Sequence, residues 1–246
     1  MRIIEEKVDI NYIETHEFFK KRAEKFQEDN PYSVTMYQDN NADLVKNRNF
    51  KEVQKLYPLL KLNNKSKVLD VACGIGRWAD AIKDEIQEYC GIDFSDELIG
   101  IAKERNKKEN FHFYTGNVFR IEQVLKKHND EKKYNVILVI GILMYLNDTD
   151  LMSMLRQIEK VSEENAVICI REPIGIHDRL TLKNFYSKEL EDNYNAIYRT
   201  REELSEAFQL TVLKKGYRVQ KEGVVFEEKE LNNRKETSQY YFILER

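Results

Sequence analysis

The stretch Val68-Leu69-Asp70-Val71-Ala72-Cys73-Gly74-Ile75-Gly76-Arg77-Trp78 decides how this chain is read. It places a carboxylate near the end of an apolar strand, just ahead of a two-glycine turn into a helix. Gly74 and Gly76 permit positive φ and carry no Cβ to hold a ligand away, while the following helix starts with free N–H groups at its positive end. A small ligand lying against the backbone is the expected consequence. The next apolar run, Tyr89-Cys90-Gly91-Ile92-Asp93-Phe94, also closes on an acid. A carboxylate at the tip of a second strand can accept hydrogen bonds from both hydroxyls of a ribose.

Gly74 to Ala79 also fits the G-x-G-x-x-G/A pattern of dinucleotide-binding oxidoreductases, a weak signal when it stands alone. Asp70 separates the two readings. A carboxylate at the mouth of the loop repels a pyrophosphate, but it suits a ligand with an ammonium and a sulfonium, as S-adenosylmethionine has. With Asp70, Gly74, Gly76 and Asp93 in place, the chain resembles the class I S-adenosylmethionine-dependent methyltransferases, whose first motif is D-x-x-x-G-x-G. The resemblance runs from about Asn41 to the C-terminus. It implies that Ala72 and Phe94 flank the cofactor, and that Asn117 and Val118, after a third strand Phe111 to Tyr114, face the adenine. The family usually has an acid at the position of Asn117, and an amide oxygen can still accept from the adenine amino group. A fourth strand, Tyr134 to Ile140, is followed by Gly141-Ile142-Leu143-Met144-Tyr145-Leu146. The resemblance turns this segment toward the methyl being transferred, with Ile140 beside the cofactor and Tyr145 a catalytic candidate.

The organisation agrees with that fold. Strands alternate with helices from residue 67 to about 172, the helices falling near 75–86, 96–107, 118–128 and 148–161, and this implies a doubly wound, mostly parallel sheet. The fifth strand, Ala166 to Arg171, is expected to end at Glu172-Pro173, where the proline stops pairing. Residues 174–199 read as a long polar connection capping the substrate site. Thr200-Arg201-Glu202-Glu203 is a capping box opening a last helix, and strands 217–226 and 239–244 complete seven. Residues 1–40 read as an N-terminal helical lid, with Phe18, Phe19, Ala23 and Phe26 on one face of a helix ending near Asn30-Pro31, and residues 41–246 as the methyltransferase domain.

Bulk properties narrow the partners. Forty basic residues against 43 acidic, net −3, supply no global positive field for nucleic acid. No run reaches transmembrane length, so no membrane is expected. Cys73, Cys90 and Cys169 fall in or beside apolar strands without C-x-x-C spacing, reading as small core residues in a reducing cytoplasm; no metal site is expected. The expected partner is a small-molecule acceptor, and the sequence assigns no oligomeric state.

In related enzymes an arginine one helix upstream of the glycine turn clamps the methionine carboxylate; Arg48 stands at that spacing, with Tyr37 a second candidate. Glu172 and His177 are candidate acid–base groups, His177 because an imidazole titrates near neutrality. Arg171, Arg179, Tyr194, Tyr198 and Arg199 suit an anionic acceptor with a ring stacked on tyrosine. The segments Arg171 to Gly175, Asn195 to Thr200 and Glu236 to Phe242 resemble methyltransferases of bacterial surface-polysaccharide pathways, including those that O-methylate capsular phosphoramidates. An N- or O-methyltransferase of a nucleotide-linked sugar and a catalytically silent partner subunit stay open beside that reading. Asp70 argues against a nicotinamide oxidoreductase.

Overall fold

The computed structural model describes residues 1–36, 41–232 and 234–246. Seven strands form the main sheet: β2 (Lys67–Val71), β3 (Glu88–Asp93), β4 (Phe111–Thr115), β5 (Tyr134–Ile140), β6 (Ser162–Gly175), β9 (Arg218–Val224) and β10 (Thr237–Glu245). Their order is β4-β3-β2-β5-β6-β10-β9. The first five of these pair in parallel, and β10 runs antiparallel to both β6 and β9. The order reverses between β2 and β5, so the chain leaves the carboxyl ends of these neighbouring strands in opposite directions and opens a crevice there. Leu69, Val71, Ile137 and Val139 are fully buried, as expected of central strands covered on both faces.

Helices α2 (Ala42–Leu56), α3 (Arg77–Ala81), α4 (Asp96–Arg105), α5 (Ile121–Lys127), α6 (Asp148–Val161) and α7 (Arg201–Leu210) complete the alternation. Ser95 caps α4 by accepting from Leu98 N–H, and Thr200 with Glu203 forms the anticipated capping box at α7. Two helices are shorter than their patterns imply. α3 stops at Ala81 because the N–H groups of Lys83 and Asp84 donate to the Tyr57 hydroxyl, at 3.0 and 3.2 Å, instead of to the preceding turn. The stretch after Asn117 is divided into a 3-10 turn, Val118–Arg120, followed by α5.

Pro173 does not end the fifth strand. β6 runs on to Gly175, with Pro173 opposite Gln239 of β10. Past Arg171 β5 has ended at Ile140, and on that side β6 next pairs at Gly175, whose N–H donates to the Arg199 carbonyl, so Pro173 falls in the gap where no N–H is needed.

Residues 174–199 are not a loop. Strands β7 (Leu180–Ser187) and β8 (Asp192–Tyr198) form an antiparallel pair, and β1 (Arg2–Ile4) joins β7 to make a separate three-stranded sheet. Leu180, Leu182, Tyr194, Ala196 and Tyr198 bury a common apolar face together with Phe18 of helix α1 (Tyr12–Glu24) and Met144. The N-terminal segment and the insertion are therefore packed on each other above the carboxyl ends of the main strands. α1 ends at Glu24, before Asn30, and residues 31–36 fold back, held by the Arg22 guanidinium, which donates to the carbonyls of Ser33, Val34 and Met36. Among the described residues no helix is long and apolar enough to cross a membrane.

Candidate functional site

The crevice at the reversal point contains two adjoining cavities. The first is lined by Asp70, Ala72, Cys73 and Gly74 together with Ile140, Gly141, Arg171, Pro173 and Gln239. The second, mostly apolar, is lined by Phe94, Asn117, Val118, Ile142 and Leu146, with Tyr12 and His16 from α1. Phe19 and Tyr145 line both. Their rings meet edge to face at 5.0 Å between centroids, and Phe19 meets Phe94 in the same manner at 5.9 Å.

At the glycine turn Ala72, Gly74 and Gly76 have φ of +62°, +56° and +76°. A Cβ on Gly74 would lie 2.7 Å from Thr35 Cγ2, so the segment after α1 rests directly on the turn. Asp93 binds that turn: its Oδ2 accepts from Gly74 N–H at 2.9 Å and its Oδ1 from Ser95 N–H at 3.0 Å. Burial raises the Asp93 carboxyl to about 6, these amides working in the opposite sense. Asp70, 2% exposed, accepts from the Tyr89 hydroxyl at 2.5 Å. Burial raises it to about 7, against the pull of Tyr89 and Arg77 and with a small addition from Asp93. Both acids would be relieved by a nearby cation. Asn117 accepts from Phe119 N–H at 2.8 Å, so it shapes the turn as well as facing the second cavity.

The wall of the first cavity also carries four guanidiniums, those of Arg22, Arg48, Arg77 and Arg171. Glu52, 1% exposed, is shared by two of them: Arg77 Nη2 approaches Oε1 at 2.6 Å and Arg171 Nη2 approaches Oε2 at 2.5 Å. Burial disfavours the Glu52 charge, but the two arginines outweigh it and hold the carboxyl below its ordinary range. Arg171 also donates to Gln239 at 3.2 Å, while its Nε is buried and has no hydrogen-bond partner among the described residues. The same holds for Nε1 of Trp78, a residue 2% exposed on the cavity wall. Arg48 lies at the cavity, and its Nε donates to the Leu231 carbonyl at 2.8 Å; burial lowers its guanidinium to about 10.

Several residues selected from the sequence lie elsewhere. His177 is exposed in the bend between β6 and β7 and lines neither cavity. Arg179 and Arg199 are 5% and 4% exposed and engaged within the protein. Arg179 binds Asp148 and Glu203, and Arg199 binds Asp148 and the carbonyls of Leu143 and Leu146. Tyr194 and Tyr198 are buried beneath α1, their hydroxyls 3.5 Å apart, leaving no face for stacking a ligand. Glu172, 1% exposed, points its carboxylate at the N–H groups of Leu143 and Met144, not at either cavity. Tyr37 lies outside the described residues.

Glu52, Arg77 and Trp78 were not singled out from the sequence, although each had a signal. Glu52 follows Arg48 by one helical turn and so shares its face. Arg77 and the single tryptophan of the chain directly follow Gly76.

The profile of a methyltransferase-domain family matches residues 62–236. A stretch of 77 residues is 35% identical to the 23S rRNA (uracil(1939)-C(5))-methyltransferase RlmD of Aliivibrio fischeri, spanning 29% of this chain and 18% of that enzyme. Among solved structures, a SAM-dependent methyltransferase from Leishmania major superposes with a TM-score of 0.62 at 15% identity, covering 93% of this chain and 83% of the other. Phosphoethanolamine N-methyltransferase 1 of Haemonchus contortus, in complex with phosphoethanolamine and S-adenosylhomocysteine, gives 0.67 at 16% identity over 94% and 48%. The N-methyltransferase NodS of Bradyrhizobium japonicum, bound to S-adenosylhomocysteine, gives 0.60 at 12% over 95% and 98%. At these identities the likeness is one of fold.

Proposed function

The chain belongs to the methyltransferase-domain family, and on that premise we propose that it transfers the methyl group of S-adenosylmethionine to a small acceptor bearing an anionic group. The cofactor is consistent with the residues present. The apolar cavity around Phe94, Asn117 and Val118 suits an adenine, and the buried Asp70 at the glycine turn suits an ammonium. Arg48 is our candidate for the cofactor carboxylate.

When bound, S-adenosylmethionine supplies an electrophilic methyl carbon and a neutral thioether as leaving group. The protein has to hold the acceptor in line with that carbon and keep water away. Tyr145, Met144 and Gly141 line the cavity that the glycine turn and Arg171 also line, so they shape the space in which the transfer takes place.

The nature of the acceptor is carried by one observation: Arg77 and Arg171 share the single carboxylate of Glu52 in a buried wall. Two fixed positive charges against one negative leave a surplus that an oxyanion would neutralise, and the buried Nε of Arg171 and Nε1 of Trp78 are donors without an acceptor among the described residues. Arg171, Pro173 and Gln239 line this cavity and belong to the segments that resemble surface-polysaccharide methyltransferases. We therefore assign a phosphorylated or nucleotide-linked acceptor of such a cytoplasmic pathway, a phosphoramidate oxygen being the specific candidate. A phosphoryl oxygen is already ionised at neutral pH and needs no general base, which agrees with the position of His177 away from both cavities.

Methyl transfer to phosphorylated sugars, nucleotide sugars and CDP-linked phosphoramidates, each measured against its unphosphorylated counterpart, tests this reading. We expect the anionic compounds to be preferred by about 100-fold or more in kcat/KM, and Arg171→Gln to erase most of that preference by raising KM. Equal turnover of the neutral compounds would overturn it.

A further inference from the structure

The turn at residues 141–146 is held from two sides by buried charged groups that line neither cavity. On one side Glu172 spends both carboxylate oxygens on it: Leu143 N–H donates to Oε1 at 2.7 Å and Met144 N–H to Oε2 at 3.2 Å. On the other side Arg199 donates from Nη1 to the Leu143 carbonyl at 2.8 Å and from Nη2 to the Leu146 carbonyl at 2.6 Å. Leu143 is thus gripped at its N–H by the Glu172 carboxyl, which burial pushes up to about 7 against the pull of these amides, and at its C=O by the Arg199 guanidinium. Arg199 is fixed in turn by Asp148 at the start of α6, which also receives Arg179. The segment so held carries Met144 and Tyr145, two walls of the first cavity.

A carboxylate at Glu172 is a costly choice for a merely structural turn. It is buried at 1% exposure, and the neighbouring Arg171 guanidinium is directed to Glu52. Its chemistry nevertheless suits the position, because a carboxylate accepts at both oxygens whereas an amide of the same shape sets an NH₂ against one of the two N–H groups. Arg199 is equally specific: its planar fork holds two carbonyls three residues apart and Asp148 from three separate nitrogens, a geometry that the one nitrogen of a lysine does not reproduce.

We propose that Glu172 and Arg199 are positioning residues that jointly set the 141–146 turn, and with it Met144 and Tyr145, against the methyl-transfer centre. The proposal rests on the cofactor-binding reading above. It reassigns two residues that the sequence suggested as acid–base and substrate-binding groups.

The test uses Glu172→Gln and Arg199→Lys in the full chain, with S-adenosylhomocysteine and methyl-¹³C-labelled S-adenosylmethionine as probes. Calorimetry with S-adenosylhomocysteine on the wild type comes first, and absence of binding there would defeat the proposed function itself. Given binding, we expect affinity in both variants within about threefold of wild type, faster amide exchange at Leu143 and Met144 by tenfold or more in Glu172→Gln, and a displaced ¹³C-methyl resonance of the bound cofactor. A role confined to fold stability would lower the melting temperature and leave that resonance in place. Unchanged exchange at Leu143 and Met144, or an unmoved methyl resonance in both variants, would overturn the proposal. Arg199→Lys keeps it falsifiable should Glu172→Gln fail to fold.

Discussion

Lowering the pH from 7.5 to 6 should weaken binding of S-adenosylhomocysteine through Asp70. Burial puts this carboxyl at about 7 in the free protein, and an ammonium seated beside it binds the ionised form. The bound carboxyl then titrates lower, so affinity is full well above pH 7 and falls as the pH drops through it. With a free value of about 7, roughly one Asp70 in eleven is ionised at pH 6 and about three in four at pH 7.5. The dissociation constant should therefore rise roughly eightfold over this interval, or about 1.3 kcal/mol. Asp93, expected from the sequence at the ribose, lines neither cavity and accepts from the N–H groups of Gly74 and Ser95, so the slope is assigned to Asp70 alone. Isothermal calorimetry at fixed ionic strength measures the profile directly. In Asp70→Asn the affinity should start near the acid-limb value of the wild type and change no more than about twofold. A flat wild-type profile, or an Asp70→Asn protein that keeps the eightfold slope, would refute the assignment of Asp70 to the cofactor ammonium.

Two further outcomes follow from the geometry. Arg48→Lys should weaken S-adenosylhomocysteine binding by about tenfold in the same calorimetric assay, since one ammonium cannot both hold the Leu231 carbonyl and offer a two-point contact to a carboxylate. Arg48→Ala should in addition lower thermal stability by about 1–3 kcal/mol through the lost buried bond, so normal stability there would remove the structural part of its role. His177→Ala should leave kcat and KM within about twofold for whichever anionic acceptor the screen returns, because the ring is exposed outside both cavities; a loss of 10²-fold or more would reinstate it as a general base.

The parallel core was legible because its signals are local. Asp70 with Gly74 and Gly76, the second-strand acid Asp93, the apolar run Tyr134 to Ile140 and the capping box at Thr200 each depend on residues a few positions apart. Alternation with helices implied a parallel, doubly wound sheet, since parallel neighbours require crossovers, but the order of the strands came from the structure. The polar insertion was misread for a related reason. Arg179 and Arg199 are buried in ion pairs with distant residues, and Leu180 to Leu182 and Tyr194 to Tyr198 are buried on both faces, so no two-residue alternation of apolar and polar residues marked these strands.

Which arginine meets a ligand was not a local question. Arg171, Arg179 and Arg199 have the same chemistry and lie within one stretch of chain, and composition cannot rank them. Asp148, from the start of α6, and Glu203, from α7, neutralise Arg179 and Arg199 inside the protein, while Glu52, from α2, meets Arg171 and Arg77 at the cavity and leaves one positive charge in excess. The amino-acid sequence by itself determined the sheet, the glycine turn and its two acids, because main-chain preference and hydrophobic period act over a few residues. The tertiary structure alone decided which buried charges are cancelled, because ion pairing depends on separations of a few ångströms between residues distant in the chain.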